Sequence, residues 1–432
     1  MTTITTLTTT PTLDPKRPTV YEEIIIEQRE NAVDRIPQTQ IHPQSTGQTS
    51  RVTQRALLLH AAQQPYALVS DHAIPSILHK DEILIKVIAI GLNPVDWKGP
   101  AFNFGLPSLP WVNGRDLAGI VVQTPAPSPG TTVRVRKGDL VLVPSTDYRD
   151  IRKAAFQEYA VATHFNAARI PSAQNTLAAA SVGVAFVASV LALGVSLGLD
   201  FRRIRDCPGP SLPEVLNIVD INAIPPDVRS ECFASRDVVE RPTAGEWIAI
   251  WGASTTTGLI TTQLARLAGL KTLCVADVAR HGSKLHAAGA DILVDRHDTE
   301  RAVEIIRGVT GGNLRYAVDI VGKDTATLLQ AALDLDIRPN GSHAHLLGLT
   351  GLPKEEDRDE RIRYHTVPIK LFHSSREVGE AMVGWLERLI GTGALQLPEV
   401  VRAEGGLGGI NEALGMLRRG DASGKRIVVE LE

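Results

Sequence analysis

The sequence is short of cysteine: Cys207, Cys232 and Cys274 are the three among 432 residues. They are far apart and odd in number, which excludes a disulfide framework as the organising device and fits a reducing compartment. No charge of one sign dominates, with 45 Lys+Arg against 48 Asp+Glu and a net charge of −3. That balance leaves no electrostatic footprint for nucleic acid or an anionic membrane. A membrane span is missing as well. The longest apolar candidate, 177–199, is interrupted by Ala, Gly and Ser and runs into "LDFRRIRD". It reads as one buried helix, not as a span of about 20 strongly apolar residues. The opening "MTTITTLTTTPTLDPKRP" has neither an apolar signal core nor an Arg-rich amphipathic pattern, so a cytoplasmic protein is expected.

What is present is enough apolar residue, 43%, for two or three domains with their own cores. Residues 1–50, rich in Thr, Gln and Pro, read as a flexible extension. "EILIKVIAIG", "LAGIVVQT" and "DLVLVPS" read as strands, separated by "PAPSPG" and "RKGD" turns. Residues 51–175 are therefore expected to form a β-rich domain with little helix. The proline-studded stretch 202–245 is too long for an ordinary connection and reads as an insertion. From Glu246 strand-like and helix-like segments alternate: "WIAIWG", "LITTQLARLAGL", "KTLCVAD", "SKLHAAGA", "DILVD", "ERAVEIIRGV", "RYAVDIVG", "ATLLQAALDL", "HAHLLGL". Such alternation predicts an α/β doubly wound parallel sheet, placed here over 176–365. The remainder, 366–432, holds helices and a last strand, "KRIVVELE", expected to return to the first domain.

The chemistry centres on "IWGASTTTG". A strand delivers Gly252, and Gly258 opens a helix whose free N–H groups and partial positive charge suit a pyrophosphate. Gly252 permits the tight turn and Gly258 the close helix–strand packing. Ser254, Thr255, Thr256 and Thr257 place four hydroxyls beside those N–H groups. Asp277 ends the next strand about 20 residues on, where an acid commonly holds ribose hydroxyls, and so speaks for NAD(H). Arg280, His281 and Lys284 follow at once and speak for the 2′-phosphate of NADP(H). A dinucleotide is expected, with NADP(H) favoured and NAD(H) possible. His343 and His345 in "HAH" are expected to form a structural pair on one strand face.

Taken in order, "GLNPVDWK", "GRDLAG", "VRKGDLVLV", "AAFQEYAVA", "GASTTTG", "NLRYAVDIVG" and "GDASGKRIVVEL" resemble the medium-chain dehydrogenase/reductase superfamily. The likeness is greatest to its zinc-independent fungal members, the trans-acting enoyl reductases and quinone-reductase-like proteins. It implies a GroES-like β-rich catalytic domain joined to a Rossmann domain. Zinc-dependent relatives carry Cys near Asn93 and His-Glu near Arg115 and Asp116, so the resemblance implies no catalytic metal. Reduction of an activated C=C bond needs none, since the adjacent carbonyl already makes the β-carbon electrophilic. Carried over by motif, Val95, Asp96, Trp97 and Lys98 approach the cofactor, with Lys98 on its phosphate or ribose and in a proton relay. Val278, Ala279 and Arg296 join the adenosine end; Leu347, Gly348, Val428 and Val429 join the nicotinamide end. Val184, Phe186 and Val187 are expected to wall the substrate pocket. Three activities remain open: an enoyl reductase acting in trans on carrier-bound intermediates of a polyketide synthase, a stand-alone enone or quinone reductase, and a non-catalytic nucleotide-binding protein.

Overall fold

The computed structural model describes residues 52–126, 133–235, 237–336 and 341–432. The expected extension 1–50 lies outside them. The N-terminal lobe is built from β1 (Thr53–Leu59), β2 (Ala67–Ala73), β3 (Glu82–Gly91), β4 (Trp111–Val112), β5 (Asp116–Gln123), β6 (Leu140–Pro144), β7 (Tyr159–Thr163) and β8 (Ala168–Arg169). β3 is buried along nearly its whole length, as a strand covered on both faces should be. One helix interrupts this lobe, α1 (Pro94–Phe102). "NPVDWK" is therefore a helix start, with Asn93 as its N-cap. Pro94 pre-sets the first helical φ, and the Asp96 carboxylate accepts from the Asn93 N–H at 2.7 Å.

The stretch 177–199 is not one helix. A single turn over Thr176–Ala179 is followed by a break, then by α2 (Gly183–Leu191), which ends in a π-helical turn. Short elements fill 202–245, among them α3 (Pro226–Cys232). This stretch is pinned by a buried Glu240. Its carboxylate pairs with His343 Nδ1 at 2.7 Å and His345 Nε2 at 3.0 Å. His345 stacks on His365, with ring nitrogens 3.0 Å apart, and His365 reaches Glu231 at 3.0 Å. The two histidines of "HAH" thus share a carboxylate drawn from the inserted stretch.

The second sheet holds β9 (Trp247–Trp251), β10 (Lys271–Ala276), β11 (Ile292–Asp295), β12 (Tyr316–Asp319), β13 (Ala344–Gly348) and β14 (Ile362–His365), all parallel, in the order β11-β10-β9-β12-β13-β14. Its helices are α4 (Thr256–Leu267), α5 (Val278–Ala287), α6 (Thr299–Thr310) and α7 (Lys323–Ala332). β14, at the edge, has no counterpart in the sequence reading. After α8 (Arg376–Thr392) come β15 (Val400–Ala403), α9 (Gly406–Arg419) and β16 (Arg426–Glu430). β16 pairs antiparallel with β3, and β15 adds beyond it, so the chain's end completes the first lobe's sheet. Among the described residues no helix is long and apolar enough to cross a membrane.

Candidate active site

The parallel sheet reverses its winding between β9 and β12. The C-terminal ends of the strands at that point are level, since Trp251, Asp319 and Gly348 are in register. A crevice at such a switch point is where doubly wound sheets take ligands. The Gly252–Gly258 loop crosses it. Gly252 has φ +86°, and a Cβ there would sit 2.8 Å from Val321 Cγ2. A Cβ on Gly258 would sit 2.6 Å from Ala253 Cα, so only glycine lets α4 start so close to its strand. Thr255 is spent internally. Its hydroxyl accepts from the Gly258 N–H at 3.0 Å and donates to the Gly252 carbonyl at 2.8 Å. Ser254, Thr256 and Thr257 remain half-exposed. The N–H groups of Thr256 and Thr257 have no intrahelical acceptor, as at any helix start. This donor set fits a pyrophosphate.

Asp277 caps α5, accepting from the Arg280 N–H at 3.1 Å, and lies 3.4 Å from His297 Nε2. Burial alone would raise its pKa, but that bond and the imidazole outweigh it and hold the carboxyl below its usual range. Arg280, Arg296 and Ala279 are exposed beside it, and Val278 is half-buried. The expected basic trio is not intact. His281 is buried, with Nε2 3.2 Å from the Ser423 hydroxyl. Lys284 donates to the Gly424 carbonyl at 2.5 Å. Both tie α5 to the turn before β16, whereas Arg280 and Arg296 are exposed at this end. Asp277, Asp295 and His297 are the one group among the described residues close enough to hold a metal, but both carboxylates already accept backbone N–H groups.

In the other lobe, Val428, Gly91, Asp116 and Pro144 form one row across β16, β3, β5 and β6. α2 begins on that row. The Val184 N–H donates to Asp116 Oδ1 at 2.7 Å, and a Cβ on Gly91 would meet Ser181 Cα at 2.7 Å. Further along α2, the Ser189 hydroxyl lies 3.2 Å from the Thr257 carbonyl and accepts from Thr261 at 2.9 Å. One helix therefore spans from the β-lobe row to the Gly252–Gly258 loop, roughly 9 Å at 1.5 Å per residue. Val429, like Val428, is wholly buried in β16; Leu347 and Gly348 are buried at the end of β13.

Below the row lies a buried cluster of charge. Arg426 donates to Asn93 Oδ1 at 3.0 Å and to Asp116 Oδ2 at 3.3 Å, and Asn93 donates to the same carboxylate oxygen at 3.0 Å. Burial pushes Asp116 up to about 6 and Asp96 up to about 7, against the pull of Arg426 on both. Asp96 Oδ1 and Arg426 Nε have no hydrogen-bond partner. This donor set does not fit zinc: the Asn93 and Asp116 oxygens face a guanidinium, and Arg115 lies with its Cζ 5.3 Å from the Tyr148 ring centroid.

Lys98 is half-buried on α1 with Nζ 5.9 Å from the Trp97 ring, and burial lowers its pKa. Val95 is half-buried. Trp97 lines an outer cleft of about 470 Å³ with Tyr66, Phe102 and Leu414, and Arg418 lies 5.4 Å from its ring. Phe186 and Val187 are 1% and 0% exposed, and Phe186 packs on Trp385 with ring centroids 5.9 Å apart, so they are core rather than pocket wall. Val184 alone of that trio is partly exposed. Arg426, the first residue of β16, escaped the sequence reading.

Residues 79–172 match the alcohol dehydrogenase GroES-like domain. The chain is 28% identical over 391 residues to a trans-enoyl reductase of Aspergillus sclerotiorum, covering 86% of this chain and 98% of that one. It is 26% identical over 366 residues to a trans-enoyl reductase of Botryotinia fuckeliana, covering 81% and 92%. Among solved structures, an alcohol dehydrogenase superfamily protein from Novosphingobium aromaticivorans superposes with a TM-score of 0.65 at 18% identity, covering 88% of this chain and 100% of that one. A mycobacterial quinone oxidoreductase gives 0.61 at 20% identity with the same coverage. The two superpositions show a shared fold.

Proposed function

We propose that this chain, an oxidoreductase of the medium-chain dehydrogenase/reductase superfamily, reduces activated C=C bonds with NADPH, without a metal, in the cytoplasm. Its substrates are polyketide-type intermediates presented in trans by a synthase. The observation that carries the chemistry is the row of Val428, Gly91, Asp116 and Pro144, joined through α2 to the phosphate loop, with Arg426 between the oxygens of Asn93 and Asp116. A guanidinium at that place supplies positive field without an open coordination position. An α,β-unsaturated carbonyl needs only that much, because its own carbonyl activates the β-carbon. The trans-acting role rests on the two fungal relatives named as trans-enoyl reductases.

A bound dihydronicotinamide supplies the hydride. The residues of this chain hold and orient it: the N–H groups of Thr256 and Thr257 and the hydroxyl of Ser254 at the pyrophosphate, Arg280 and Arg296 at a 2′-phosphate, Lys98 at phosphate or ribose. Val184, fixed by Asp116, borders the substrate. NADPH is preferred because Asp277 is engaged by its own helix and by His297, while two exposed guanidinium groups flank it. A free enone or quinone is the second reading, favoured by the fold shared with a quinone oxidoreductase.

The test is stopped-flow oxidation of NADPH and NADH with enoyl thioesters, enones and quinones. Enoyl thioesters are expected to turn over fastest, and Arg280→Ala/Arg296→Ala to weaken NADPH about tenfold or more while sparing NADH, from loss of charge-assisted hydrogen bonds. No consumption of either coenzyme with any acceptor would remove the reading.

A further inference from the structure

The outer cleft lined by Trp97, about 470 Å³ in volume, lies between the loop joining β1 to β2, α1 and α9. Its walls are fastened to one another. The Gln63 N–H donates to the Pro100 carbonyl at 2.9 Å. The Tyr66 N–H donates to Asn411 Oδ1 at 3.0 Å, and Asn411 Nδ2 donates back to the Tyr66 carbonyl at 2.8 Å. The Tyr66 hydroxyl donates to the Asp96 carbonyl at 2.7 Å and accepts from Asn113 at 2.8 Å. The cleft is therefore preformed, and it has the size of a small-molecule site. Gln63, which lines it, has φ +63°, a left-handed conformation that a residue other than glycine holds only where its surroundings impose it.

The lining is of two kinds. Trp97 and Phe102, with ring centroids 6.1 Å apart and planes tilted by 49°, join buried Leu414 in an apolar surface. The polar part carries charge of one sign only. Arg418 lies 5.4 Å from the Trp97 ring centroid, and no acidic side chain lines the cleft. Among the described residues the Arg418 guanidinium has no hydrogen-bond or ion-pair partner, and neither have the side-chain amides of Gln63 and Gln64. An uncompensated guanidinium beside aromatic rings suits an anion with an apolar body. Its planar fork matches a carboxylate, and flat carbon packs on the rings. None of the residues lining the cleft belongs to the Gly252–Gly258 loop or to the row where α2 begins.

We propose that this cleft is a second binding site, separate from the coenzyme crevice, for an organic monocarboxylate with a flat, conjugated apolar body. Arg418 holds the carboxylate, the amides of Gln63 and Gln64 donate to its oxygens, and Trp97, Phe102 and Leu414 take the carbon skeleton. The site does not depend on the enoyl-reductase reading, since no residue of it serves the coenzyme loop.

The probe is 2-naphthoate, titrated into the full chain by ligand-observed NMR and calorimetry, with and without NADPH. One equivalent is expected to bind with a Kd of about 1 mM or tighter, as a ligand of this size allows, and NADPH should not displace it. Naphthalene-2-carboxamide has the same shape without the charge and should bind about tenfold more weakly. Arg418 is exposed, so Arg418→Gln should keep the wild-type melting temperature. It should weaken 2-naphthoate about tenfold and bring it level with the amide. Arg419→Gln, at the next position but paired with Asp421 at 2.9 Å, should leave binding unchanged. Absence of saturable binding up to about 5 mM overturns the proposal, as does equal affinity for acid and amide in the wild type. So does an equal loss in Arg419→Gln, which would mark a diffuse charge effect. Displacement by NADPH would put the acid on the coenzyme's own cations and overturn it too, leaving the reductase reading untouched.

Discussion

Replacing Arg426 by Leu removes the one cation that hydrogen-bonds Asp116 and Asn93. Asp116 is 1% exposed and Arg426 7%, so the pair belongs to the buried class, in which deleting one partner costs about 3–5 kcal/mol. At roughly 2–4 °C per kcal/mol for a lobe of this size, the melting temperature should fall by about 6–20 °C. The loss should depend on pH. Burial already pushes Asp116 up to about 6, with Arg426 the largest force pulling it back. A carboxyl raised above its unfolded value binds more protons when folded, so its burden on stability is absent at low pH and grows as pH rises through the folded pKa. Without Arg426 the folded pKa rises further, and the window of falling stability extends upward at up to about 1.4 kcal/mol per pH unit. Urea denaturation at about pH 5.5 and pH 8 should therefore find the variant much closer to wild type at the lower pH. Asp116→Asn/Arg426→Leu should recover part of the loss, because the orphaned charge is gone while an oxygen for the Val184 N–H remains. A cost below about 1 kcal/mol at pH 8, or one equal at both pH values, would refute the claim that these charges depend on each other.

Gly258→Ala forces a methyl group against the backbone of Ala253. It should cost about 1–3 kcal/mol and weaken coenzyme binding about tenfold by lifting the start of α4; unchanged titration of coenzyme fluorescence would contradict the tight strand–helix entry. Phe186→Ala should cost about 3–5 kcal/mol in chemical denaturation yet leave the KM for substrate nearly unchanged, since the ring packs on Trp385 rather than on a pocket; a selective rise in KM would restore it to the pocket wall. Burial and the neighbouring His365 push His345 down to about 3. The unfolded chain takes up a proton near 6.5 that folded His345 refuses, so stability is complete above that pH and declines as pH falls toward 3. Glu240, held down to about 2 by its histidines against the effect of burial, adds a second loss below its ordinary value of 4.5. Acid should accordingly expose 202–245 to limited proteolysis first, and His345→Gln should flatten the decline between pH 6.5 and 4; identical acid profiles would count against the network.

What the sequence made legible was local. Strand–helix alternation from Glu246 onward is a period carried by neighbouring residues, so the parallel sheet and the Gly252–Gly258 entry could be read directly. Asp277 was legible too, as an acid at the end of a strand, although one motif cannot show that its carboxylate caps its own helix. Direction was not legible. His281 and Lys284 sit on the first turns of α5, where basic residues suit a phosphate equally well. Only the return of the chain at Ser423 and Gly424, about 140 residues later, turns them away. Phe186 failed for a related reason. Its position on the joining helix was anticipated, but the face it presents is set by Trp385 from a distant helix.

The same contrast separates the Gly252–Gly258 loop from the buried charge cluster of the other lobe. Phosphate is held mainly by backbone N–H groups at a helix start, and a Gly-and-hydroxyl loop announces that geometry in a single short segment. The row on the other lobe is assembled from single residues of β16, β3, β5 and β6. None of these forms a motif alone. Arg426 has meaning only because the end of the chain brings it to Asn93 and Asp116. A buried guanidinium costs stability unless it is paired, and Arg426, buried at the start of β16, is matched by Asp116 from β5. Arg426 leads to Asp116, to the Val184 N–H that Asp116 accepts, and through α2 to the Gly252–Gly258 loop.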